Sequence, residues 1–310
     1  MKKKIFVIIL ILLVALAAGV VSQIRFDIPA AEIEAKYKLP ESKFIDVNGL
    51  RTHYTDEGVK KGSHETVVLL HGTAASLNTW QAWMPELKKH FRVVRVDLPA
   101  FGLTGPSPKR DYSIKAYVKF LEDFLSTLKI KQIYLVGNSL GGEIAWHYAA
   151  EHPDDVYKLI LIDSAGLQRK GKMPLAFWLA RKKYLQGLVK YFSPRFLIKK
   201  SLKDVYFDKS KVTDALVDRY FLMTLREGNR QAFIDRANQI ESATDDDLRQ
   251  VRSPTLILWG RHDAWIPVEQ AEIFRKKIMI PQLKIYENAG HVPQEEIPDE
   301  TLVDVIKFLD

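Results

Sequence analysis

The chain has no cysteine among its 310 residues. That excludes disulfides, a thiol nucleophile and thiolate metal ligands, and it leaves the compartment open, because a disulfide-free protein can fold anywhere. Neither the H-E-x-x-H helix motif nor the G-x-x-x-x-G-K-[ST] phosphate loop occurs, so neither a metal nor a nucleotide cofactor is expected. The absence of repeats and low-complexity tracts excludes a repeat array. A length of 310 residues with 47% hydrophobic content suits one large α/β domain. Acidic residues are scarce in one segment: between Gln168 and Lys211 thirteen lysines or arginines face only Asp204 and Asp208.

Charge is absent altogether from Ile5 to Ile24, an almost wholly aliphatic stretch preceded by Lys2, Lys3 and Lys4. Twenty such residues about suffice to cross a hydrocarbon core, so residues 1–24 read as a membrane anchor. The alternative is a signal peptide cut near Ala15-Leu16-Ala17 or Ala17-Ala18-Gly19. By the positive-inside rule the lysines stay cytoplasmic, which puts the rest of a single-pass protein on the extracytoplasmic side; cleavage would instead make it secreted or periplasmic. Residues 25–42 form a linker. Phe44–Val47 and Leu50–Thr55 flank Asn48-Gly49, a hairpin signal that opens the globule.

Chemistry concentrates in Gly137-Asn138-Ser139-Leu140-Gly141-Gly142. Gln132–Val136 ahead of it reads as a strand, and Glu143–Glu151 behind it has helical spacing, so Ser139 falls on a strand-turn-helix junction. There a serine is a candidate nucleophile, with the flanking glycines removing side chains that would collide. A nucleophilic serine needs a base and an orienting acid further along the chain. Ser253–Trp259 reads as a buried strand ending at Asp263, and Gln282–Tyr286 as a strand leading to His291. His291 is the candidate base and Asp263 the candidate acid. Asp163, which also ends a strand (Leu159–Ile162), is the alternative acid; it can equally be a turn cap with Ser164. The oxyanion requires two N–H donors. Leu140, following the nucleophile, supplies one; Thr73, in the small-residue loop after Thr66–Leu70, supplies the other, with Ala74 next in line.

Taken in order, His71-Gly72, Asp97-Leu98-Pro99-Ala100-Phe101-Gly102, the Ser139 hexapeptide, Trp259-Gly260-Arg261-His262-Asp263 and Gly290-His291 resemble the motifs of α/β-hydrolases, from about Phe44 to the C-terminus. The resemblance implies an α/β fold: a mostly parallel eight-stranded sheet with helices on both faces and a helical cap inserted after the sixth strand. Ala100 stands where the family usually carries glycine, which should alter local turn geometry. The expected organisation is a core of residues 43–163 and 251–310 with residues 164–250 as cap.

The layout is similar to membrane-anchored monoacylglycerol lipases and serine esterases, which implies acyl-enzyme hydrolysis of apolar or lipid-like esters without a cofactor. Carbon-carbon hydrolases of aromatic meta-cleavage also resemble the chain through the G-N-S-x-G-G elbow, but commonly carry tryptophan after the histidine, where this chain has Val292. A non-catalytic ligand-binding protein on this fold is the third possibility. The basic cap, interleaved with Phe177, Trp178, Tyr184, Tyr191, Phe192 and Phe196, suits either an anionic membrane interface or a solvated cationic face whose aromatics pack on the core. Nucleic acid is not an expected partner, since the export segment and catalytic residues do not belong with that role.

Overall fold

The computed structural model describes residues 2–59, 66–168, 173–240 and 247–310, and within the first helix only some of the side chains. Met1 and the cap cations Arg169, Lys170 and Lys172 lie outside the described residues. Two helices lead in, α1 (Lys2–Val21) and α2 (Ala30–Tyr37). Among the described residues no helix is long and apolar enough to cross a membrane.

Eight strands follow: β1 (Lys43–Val47), β2 (Leu50–Gly58), β3 (Thr66–Leu70), β4 (Arg92–Val96), β5 (Ile133–Asn138), β6 (Val156–Ile162), β7 (Thr255–Gly260) and β8 (Pro281–Tyr286). They form one sheet in the order β1-β2-β4-β3-β5-β6-β7-β8. β2 runs antiparallel to β1 and β4, and every other pair is parallel. The β1–β2 turn is made by Asn48 and Gly49, both at positive φ (52° and 85°), the combination whose twist matches a tight hairpin.

A parallel strand has both faces covered, so its residues are apolar throughout. β3 shows this. Val67 and Leu69 pack with Trp80, Trp83, Met84 and Leu87, at and before α3 (Met84–His90), and with the C-terminal helix. Val68 and Leu70 pack on the opposite face, against residues of α4 (Ile114–Thr127) and α5 (Leu140–Glu151). Each fully buried Val or Leu contributes roughly 1.5–3 kcal/mol, so the sheet is held by the alternation of two apolar layers.

Among the described residues between the end of β6 and the start of β7 lie the α-helices α6 (Leu175–Arg181), α7 (Gln186–Tyr191), α8 (Arg195–Val205), α9 (Asp214–Leu225) and α10 (Asn229–Asn238). The chain closes with α11 (Glu269–Lys277), α12 (Pro293–Glu296) and α13 (Pro298–Leu309). The inserted helices bury two small apolar clusters of their own. Val292 joins the one around Leu202, Val205 and Val217, while Trp265 packs against the one around Phe177, Ala180 and Ile234.

The linker is more structured than its composition suggests. Beyond carrying α2, it is stitched to the inserted helices: Arg25 N–H donates to Tyr191 O and Ile28 N–H to Leu225 O, each at 2.8 Å. Asp27 accepts from Arg230 Nη2 at 2.6 Å and from Gly228 N–H at 3.0 Å. The chain leaving α1 therefore runs directly onto the inserted helices.

Candidate functional site

Ser139 sits between the last residue of β5 and the first of α5, with φ 55° and ψ −116°. A non-glycine residue holds such a conformation only where its surroundings over-determine it. The surroundings here are backbone. A β-carbon on Gly137 would lie 2.1 Å from Gly141 O, and one on Gly141 would lie 2.1 Å from Leu70 O. Only glycine at both places lets strand, turn and helix close on one another. Ser139 N–H donates to Ile162 O and its carbonyl accepts from Glu143 and Ala165 N–H, each at 3.0 Å. The turn is thus held from both sides.

His291 and Asp263 lie together. The His291 Nδ1 to Asp263 Oδ2 separation is 2.6 Å, and both residues are buried. The other oxygen, Asp263 Oδ1, accepts from Trp265 N–H at 2.7 Å and Ile266 N–H at 2.9 Å. With three donors around it, this carboxylate is fixed in place and the imidazole orientation with it. Asp163 makes no such bond to the imidazole. It is not the turn cap that its position allowed: it is fully buried and accepts Gly260 N–H at 3.0 Å.

Asn138 ties this pair to the serine turn. Its amide donates to Ile162 O and to His291 O, both at 3.1 Å, so the residue preceding Ser139 grips the backbone of the histidine loop. The sequence pattern marks Asn138 only as part of the elbow; its bridging role depends on a loop 153 residues away. Trp265 was also not singled out. Its ring lies 5.5 Å from the His291 ring and packs on Phe177 of α6, closing the imidazole under the inserted helices.

Leu140 and Thr73, the residues expected to supply the oxyanion donors, lie at the start of α5 and in the loop after β3. Leu140 opens α5, so its N–H has no acceptor within the helix. Thr73 follows Gly72, whose β-carbon position is 3.1 Å from Ser139 Cβ, and Ala74 takes φ 61° to turn the loop. His71 holds that loop from behind: Nδ1–H donates to Gly72 O at 2.7 Å while Nε2 accepts Leu98 N–H at 2.9 Å. The acceptor role requires a neutral ring, and burial lowers the His71 pKa in that direction.

The histidine loop is also fastened to the inserted helices. His291 N–H donates to Val205 O at 2.7 Å. Glu296 collects three backbone donors, Phe207 N–H, Asp208 N–H and Gly290 N–H, at 3.1, 2.5 and 2.8 Å. Beside it, Glu295 accepts from Thr79, Tyr206, Tyr220 and Arg219.

The comparisons agree with this architecture. The chain is 29% identical over 266 residues to a 2-hydroxy-6-oxo-2,4-heptadienoate hydrolase of Pseudomonas putida, covering 82% of this chain and 91% of that one. It is 29% identical over 281 residues to the monoacylglycerol lipase abhd6-A of Xenopus laevis, covering 86% and 81%. Among solved structures, a membrane phospholipase A superposes with a TM-score of 0.76 at 29% identity, covering 100% of this chain and 98% of that one. The family model for the alpha/beta hydrolase fold matches residues 65–298. With its eight-stranded sheet, its serine turn and this match over most of its length, the chain belongs to the α/β-hydrolase family and is a hydrolase of that fold.

Proposed function

We propose that this hydrolase cleaves carboxylic esters of lipid-like alcohols at a membrane surface, through an acyl-enzyme on Ser139. His291 Nε2 takes the Ser139 proton as Oγ attacks the ester carbonyl, and Asp263 stabilises the imidazolium. The N–H groups of Leu140 and Thr73 receive the oxyanion. The alcohol leaves with the proton from His291, and water activated by the same ring releases the acid. No cofactor is needed for either half.

The observation that carries the lipid assignment is the direct attachment of α1 to the inserted helices through residues 24–28. We read α1 as a membrane anchor from its sequence, not from its described side chains, which are only part of the helix and do not by themselves make a span: the sequence is free of charge from Ile5 to Val21, and 20 helical residues extend about 30 Å. Ile5, Phe6, Ile8, Leu12 and Val14 are all more than half exposed. Where the anchor meets the cap, Phe26, Trp178, Tyr184, Leu188 and Tyr191 are exposed, with Lys182 beside Trp178 and Lys190 beside Tyr191. Aromatic rings among cations suit the headgroup layer of an anionic bilayer. On this reading residues 164–250 act as a lid that faces lipid, and the lysine bias supports an extracytoplasmic catalytic domain. The membrane phospholipase A that matches the whole chain supports the same reading.

The second reading is carbon-carbon bond hydrolysis, favoured by the similarity to the heptadienoate hydrolase. The test is turnover of monoacylglycerols and phospholipids of several chain lengths in mixed micelles, and of p-nitrophenyl butyrate, by wild type and Ser139→Ala. Wild type should release fatty acid, and Ser139→Ala should lose at least about a thousandfold in kcat. Turnover of a 2-hydroxy-6-oxo-dienoate with no ester cleaved would replace this reading by the second.

A further inference from the structure

We propose that Asp163 is a positioning residue for the site: it keeps its proton at neutral pH and its O–H donates a hydrogen bond to the Asp263 carboxylate. This rests on the serine-histidine-aspartate reading above and deepens it.

Asp163 follows β6 at φ 44° and is fully buried. Among the described residues its Oδ1 accepts one hydrogen bond, from Gly260 N–H, while its Oδ2 is buried with no donor facing it. An unpartnered carboxylate oxygen in such a place costs several kcal/mol, unless the group is neutral. The neighbours are Asp263 and His291, which offer ligand atoms within 4.8 Å of one another and of Asp163; Glu296 and the Tyr286 phenol of β8 also face it. Two carboxylates this close in a dry site do not both ionise.

Counting donors decides which one carries the proton. Asp263 receives three, from Trp265 N–H, Ile266 N–H and His291 Nδ1; Asp163 receives one. Burial, and then the Asp263 charge, push the Asp163 carboxyl well above the usual carboxylate range. Its O–H then points its hydrogen at Asp263 in place of an orphaned oxygen. The consequence for catalysis lies at His291. An ionised Asp163 would be a second negative charge beside the imidazole, in competition with Asp263 for it. A neutral Asp163 gives Asp263 a further donor instead.

The experiment uses the purified full chain, with kcat/KM on p-nitrophenyl butyrate against pH for wild type, Asp163→Asn and Asp163→Ala. The asparagine amide can donate as the acid does, so Asp163→Asn should keep activity within about threefold and leave the acid limb in place. Asp163→Ala removes the donor, which should lower kcat/KM by about tenfold and move the acid limb upward, because the Asp263 charge beside the imidazole then meets one donor fewer. An acid limb that falls by about one unit or more in Asp163→Asn would show that a charge had been removed, and would overturn the proposal.

Melting temperatures give a second readout that does not depend on activity. An acid whose folded pKa is raised binds a proton that the unfolded chain has already released, so wild type should lose stability as pH rises from about 4 through that folded value. Asp163→Asn lacks this loss, and its melting temperature relative to wild type should climb between pH 4 and pH 7. A difference that stays flat with pH would also overturn the proposal. Failure of the ester reading would show in the Ser139→Ala comparison instead, leaving the melting curves to decide where the proton resides.

Discussion

Ala100 holds φ 82° and is fully buried. An L-residue with a β-carbon pays roughly 1 kcal/mol or more for that left-handed conformation, and glycine does not. The turn needs the conformation because Ala100 N–H must reach Gly105 O at 2.7 Å. Ala100→Gly should therefore stabilise the protein by about 1 kcal/mol, read as a rise of a few degrees in melting temperature with turnover unchanged; a fall would mean that the methyl packing outweighs the strain. From the chain alone Ala100 was visible as a departure from the glycine usual at this position. That it sits in the left-handed region is a property of the folded loop.

At the scale of elements, the loop carrying His291 is held by groups that sequence periodicity does not single out. Glu296 binds three backbone N–H groups, two of them from the stretch after α8, so it fastens the inserted helices to the histidine loop. Glu296→Ala leaves those donors buried and unpaired. The expected cost is about 2–4 kcal/mol in denaturant unfolding, with kcat reduced more than KM is changed, because His291 loses its backing. Unchanged stability would show that water replaces the carboxylate. The serine turn was readable for a different reason. Gly137 answers to a contact with Gly141 four residues on, and although Gly141 answers to Leu70 of a distant strand, Gly137, Ser139 and Gly141 still stand as a short pattern in the chain. Glu296 in the polar run Gln294-Glu295-Glu296 looks like any solvated helix start. Only the approach of Phe207 and Asp208 from a segment almost ninety residues earlier gives it a task.

For the whole molecule, the decisive relation is between α1 and the inserted helices. On the proposed reading of α1 as an anchor, alkaline or high-salt washing should leave the full chain in the membrane fraction, whereas a chain beginning at Ile24 should bind only vesicles containing anionic lipid and come off in salt. Release of the full chain by salt alone would remove the anchor from the proposed function. The sequence by itself determined most of the sheet's strands but not β4, the hairpin at Asn48-Gly49, the serine turn and the order of Ser139, Asp263 and His291 along the chain, because apolar runs and turn residues are local in the chain. Tertiary structure alone decided which aspartate meets the imidazole, how Asn138 joins the two loops and where Trp265 lies. Those depend on strands β6, β7 and β8 being neighbours in the sheet, and on which backbone donors reach a carboxylate once they are.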